Sequence, residues 1–78
     1  MSIDARPQDL ITERSTPVTP EDLQILALIA DGYPMATIAH RLNLSGRTVR
    51  RRTRALCDQL GARAPIQVAV WAVRRGLI

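Results

Sequence analysis

The stretch that most limits how this chain can fold runs from Ser45 to Gly61, because it reads as a single helix with both ends marked. Ser45 suits the N-cap, where its hydroxyl accepts from a free backbone N–H of the first turn. Gly61 suits the position just past the last turn, where positive φ is needed. Between them Val49, Leu56 and Leu60, with Thr53 on the same side, recur at spacings of three and four and form one apolar stripe. Arg47, Arg50, Arg51 and Arg54 obey the same spacing on a face turned away from it. One side can pack while the other holds four permanent charges.

Guanidinium groups this close repel one another, weakening an isolated helix by about a few tenths of a kcal/mol per pair. A partner outside the helix is therefore expected to use them. The major groove of DNA fits, since it admits an α-helix and since Arg forks match both phosphate oxygens and the O6/N7 edge of guanine. The competing reading is a solvated charged face, but such faces usually mix signs.

At 78 residues the chain has room for one small domain and no large catalytic cleft. Apolar residues make up 46% but aromatics only 3%, with no Phe. The core must come from Leu, Ile, Val and Ala, which suits packed helices, so the expected class is all-α. Charge is divided along the chain: residues 1–31 carry Arg6 and Arg14 against six acids, and residues 32–78 carry nine Arg against Asp58 alone. This asymmetry points to a polyanion partner for the second part.

Cys57 is the only cysteine, which excludes an internal disulfide and a multi-cysteine metal site. It is expected to pack as a small apolar residue, with redox sensing as the alternative. His40 has no second His or Cys as a partner, so no metal site is expected; it is either an exposed side chain or a phosphate contact. No catalytic constellation or phosphate loop is legible, so neither an enzyme nor a cofactor is expected. There is no run of 18 apolar residues and no apolar signal region at the N-terminus, so a soluble cytoplasmic protein without a membrane partner is expected.

In chain order, residues 1–17 are too poor in apolar residues to build a core and read as a tail or linker, with a short helical turn conceivable after Pro7. Thr19-Pro20-Glu21-Asp22 starts a helix: Thr19 at the N-cap, Pro20 at N1, acids in the first turn and a Thr19/Asp22 capping box. That helix should run to Asp31, with Ile25, Leu26 and Ile29 inward and Gly32 as its stop. Met35–Leu42 follows as a short helix with Met35, Ile38, Ala39 and Leu42 inward, ended by Asn43 in the left-handed conformation. Two helices joined by Asn43-Leu44-Ser45, with a small Ala39 between them, match a helix-turn-helix.

The last segment, Ile66–Ile78, is ambiguous alone: its β-branched residues allow a buried strand. Pro65 at one end and Arg74, Arg75 and Gly76 at the other are helix punctuation, and a lone strand has no partner, so a helix is preferred. Ile66, Ala69, Val70 and Val73 form one stripe, and Val68, Trp71 and Ala72 add apolar surface elsewhere. This exceeds what three short helices can cover, which suggests a homodimer interface at Ile66, Val70, Trp71 and Val73. The alternative is that Trp71 folds under the N-terminal arm.

These residues resemble the LuxR/GerE-type helix-turn-helix domain over residues 18–78. The resemblance rests on Val18-Thr19-Pro20 with Asp22, the run Ile25–Gly32, the run Ile38–Ser45, Thr48-Val49-Arg50, Leu60-Gly61 and Gly76-Leu77-Ile78. It implies a four-helix domain that binds double-stranded DNA as a dimer through its last helix, the third helix reading. It implies base contacts from Arg50, Arg51 and Arg54, and phosphate contacts from around Thr37, Arg47 and Thr48. The chain departs from the family pattern at Arg52 (commonly His), Pro34 (a polar cap), Thr37 (Glu) and Pro65 (Arg or polar). Arg52 either snorkels toward a phosphate or perturbs the packing of the reading helix. Two other functions compete with a transcriptional regulator: a promoter-recognition module similar to sigma factor region 4, docking on RNA polymerase, and a protein-interaction module whose Arg stripe meets an acidic partner.

Overall fold

A computed structural model describes residues 18–78, in which four helices and no strand are found. The expected tail at residues 1–17, including the turn after Pro7, lies outside the described residues. The helices are α1 (Pro20–Ala30), α2 (Met35–Leu42), α3 (Gly46–Leu60) and α4 (Pro65–Arg74). The all-α expectation therefore holds, and the ambiguous last segment is a helix.

α1 begins where its sequence marks a start. The Asp22 N–H donates to Thr19 Oγ1 at 3.0 Å and the Thr19 N–H donates to Asp22 Oδ2 at 3.0 Å, a complete capping box. Asp31 caps the other end rather than continuing the helix. α2 starts at Pro34, which offers no side-chain cap, and closes on Asn43 at φ 59° and ψ 42°. That left-handed residue lets the Leu44 N–H reach the Ala39 carbonyl at 2.9 Å, folding the chain sharply into α3. Gly61, at φ 68°, does the same for the α3–α4 turn.

The core lies where the four helices meet. Ile25, Leu26, Ile38, Val49 and Val68 are fully enclosed, and Ile29, Ala39, Leu56, Cys57, Ala69 and Ala72 complete it. α1 packs most extensively on α4, and α2 on α3. The stripe expected on α3 is inward as a row of Val49, Thr53 and Leu56, joined by Cys57, with Leu60 half-buried. Buried Thr53 disposes of its hydroxyl locally, donating to the Arg50 carbonyl at 3.0 Å.

On α4, only Ala69 of the Ile66/Ala69/Val70/Val73 stripe is buried; the core face is Val68, Ala69 and Ala72. A helix with apolar residues on several sides can bury any of them, and here the enclosed ones are Val68, Ala69 and Ala72. Ile66 at 50%, Val70 at 42% and Val73 at 50% remain exposed.

Candidate nucleic-acid interface

The outer face of α3 is held in place from both sides. Beneath it, Val49, Thr53, Leu56 and Cys57 fix the helix on the core. At its start, Ser45 Oγ accepts from the Thr48 N–H at 3.0 Å and donates to Thr48 Oγ1 at 2.9 Å. The Thr48 hydroxyl keeps its own proton free for an outside acceptor.

Arg47, Arg50, Arg51 and Arg54 are all exposed on this face. None forms an ion pair among the described residues, so their charges are not neutralised within the domain. Arg50 lies back over the first residue of its helix: a Cβ built on Gly46 would stand 3.4 Å from Arg50 Nη1. The Arg50 guanidinium therefore lies over the first turn of α3.

On α2, Thr37 is half-buried and His40 is exposed. Arg41, beside His40, stacks its guanidinium on the Tyr33 ring at 4.3 Å to the centroid, a contact its sequence position does not announce.

Arg52 is placed apart from the other α3 arginines. Its Nη2 lies 2.8 Å from Glu21 Oε1 and its Nη1 3.5 Å from Asp22 Oδ1. Asp22 Oδ2 already caps α1, so a single carboxylate joins the start of α1 to the flank of α3. Of the two readings left open by sequence, snorkelling toward a phosphate would require Arg52 to leave both acids. Its Nε is buried without a hydrogen-bond partner, so the fit is imperfect.

Cys57 belongs to the core, and burial, followed by the nearby Asp58 charge, raises its thiol pKa above the ordinary value. This is opposite to what a reactive thiolate needs. On α4, Ile66, Val70 and Val73 are exposed, as are Leu77 and Ile78 beyond its end. Trp71 is half-buried against the core, and the Arg75 guanidinium lies 5.2 Å from its ring centroid. Trp71 therefore differs from the three residues it was grouped with.

Among the described residues no helix is long and apolar enough to cross a membrane. The family described as bacterial regulatory proteins, luxR family, matches residues 16–72. The chain is 34% identical over 61 residues to the nitrate/nitrite response regulator protein NarL of Escherichia coli strain K12, and equally to that of strain CFT073. The match covers 77% of this chain and 28% of each relative, so the chain spans under a third of their length. No solved structure matches at a significant level.

Proposed function

Because the chain belongs to the luxR family of bacterial regulatory proteins, we propose that it is a sequence-specific transcriptional regulator whose α3 enters the major groove of duplex DNA. The observation that carries this reading is the row of four exposed, unpaired arginines on a helix whose opposite face is locked into the core. A rigid helix in the groove can aim planar donor forks at base edges, which is how sequence is read directly.

In this reading Arg50, Arg51 and Arg54 contact bases, while Arg47, Thr48, Thr37 and His40 hold phosphates on either side. Arg52 is instead a tie between α3 and α1, because two carboxylates already occupy it. Residues 18–78 form the DNA-binding domain, and residues 1–17 are its tail or linker. The site of action is the cytoplasm, where bacterial DNA lies.

The exposed row Ile66, Val70 and Val73, with Trp71 at its edge, supports association of two copies through α4 about a two-fold axis. Burial at roughly 25 cal/mol per Å2 over several hundred Å2 is of the same order as the ~4–15 kcal/mol cost of association. The dimer is then weak alone and is completed on DNA.

Selection of bound sites from random duplex DNA by the purified chain tests this. The expected product is an inverted repeat whose half-site centres lie about 34 Å apart, one helical turn. Recovery of unenriched sequence would reduce the arginine row to a non-specific grip.

A further inference from the structure

Resting on the DNA reading above, we propose that Arg63 holds a backbone phosphate of the bound duplex, in the cleft beside the C-terminal half of α3. This cleft, of about 480 Å3, is lined by Arg50 and Arg54 of α3, Arg63 of the α3–α4 loop, Met35 at the start of α2, and Pro65. Asp58 is the acid on its wall, and none of the three arginines forms an ion pair among the described residues. Arg54 and Arg63 thus border one concavity with a single carboxylate, while the Arg50 guanidinium turns back toward Gly46.

Arg63 is held in position by its backbone. Gln67 Oε1 accepts from the Arg63 N–H at 2.6 Å and from the Ala64 N–H at 3.4 Å, and the Ala62 N–H donates to the Cys57 carbonyl at 2.9 Å. The loop is therefore a fixed continuation of α3, with only the Arg63 side chain free.

The geometry of a straight helix in a curved groove supplies the ligand. α3 has 15 residues and is roughly 22 Å long at about 1.5 Å per residue. The major groove winds around the duplex and is only ~8.5 Å deep, so a helix whose first turns touch base edges leaves the groove by its last turns. There it passes beside the sugar-phosphate backbone, on the flank where Arg54 and Arg63 face the same cleft. An Arg fork matches two phosphate oxygens.

The experiment compares the wild-type chain with Arg63→Gln on the selected duplex, with single uncharged methylphosphonate linkages introduced at each position in turn. Arg63→Gln leaves the backbone bonds to Gln67 intact and should unfold at the wild-type temperature. The expected result is a log K against log salt slope shallower by about 0.9 per protomer. One methylphosphonate position should weaken the wild type and leave Arg63→Gln unaffected. An unchanged slope in the variant overturns the assignment of Arg63 while leaving the DNA reading in place. A wild-type slope near zero overturns both. Arg63-dependent binding of inorganic phosphate, with no change in the duplex slope, would make the cleft a free-anion site and also overturn it.

Discussion

At the scale of single residues, the five arginines of α3 divide by what already surrounds them. Arg52 is held by Glu21 and Asp22, whereas Arg47, Arg50, Arg51 and Arg54 are open to an outside partner. Replacing Arg50, Arg51 or Arg54 by Ala should cost about 1–3 kcal/mol on the preferred site and relax preference at one base position, measured by competition with mutated duplexes. Arg47→Ala should weaken all duplexes alike. Arg52→Gln should lower stability in chemical denaturation by about 1 kcal/mol, the scale of a partly exposed ion pair, and leave the salt dependence of binding unchanged. A shallower salt slope would mean that Arg52 leaves its acids for a phosphate. Cys57, with its raised pKa, should alkylate more slowly than free cysteine at mildly alkaline pH in the folded chain and at the free rate in denaturant. Because the folded chain holds the thiol proton more tightly, this group's contribution to stability is present below the ordinary thiol pKa. It is lost as pH rises through the folded pKa.

At the scale of helices and turns, what could be read from sequence was whatever is decided within about four residues. Ser45, the Thr19/Asp22 box, Asn43 and Gly61 each satisfy or redirect nearby backbone, and all sit as their sequence positions imply. The Arg52 tie was not legible, since it joins residues 30 apart and depends on which helix lies beside α3. The inward face of α4 was not legible either. Val, Ala and Trp occur on several of its sides, and which of them is enclosed depends on how α4 packs on the rest of the fold, most extensively on α1. Arg63 gave no periodic signal because it stands in a loop. Gly61→Ala meets no atom within 4 Å, so only backbone strain opposes it, and stability should fall by about 1 kcal/mol in denaturant titration. Val70→Asp should keep the fold, because Val70 is exposed, but shift sedimentation at high concentration from dimer to monomer and weaken binding to a two-half-site duplex. Single-half-site binding should not change. A variant that stays dimeric would place the interface away from α4.

At the scale of the whole molecule, the division of charge is the property that connects fold to function. Residues 32–78 carry nine arginines against one acid, and the acids at the start of α1 hold only Arg52. Five of the remaining eight arginines, Arg47, Arg50, Arg51, Arg54 and Arg63, lie on α3 and the loop that follows it and form no ion pair among the described residues. A folded domain tolerates such a surplus when its partner is a polyanion, and displacing counterions from that partner then drives binding. The most direct measurement is the affinity of the purified chain for its selected duplex across a salt series. If about five phosphates are neutralised per protomer, log K should fall against log salt with a slope of about −4 to −5 per protomer. A slope near zero would contradict the claim that the arginine face of α3 is a DNA-binding surface.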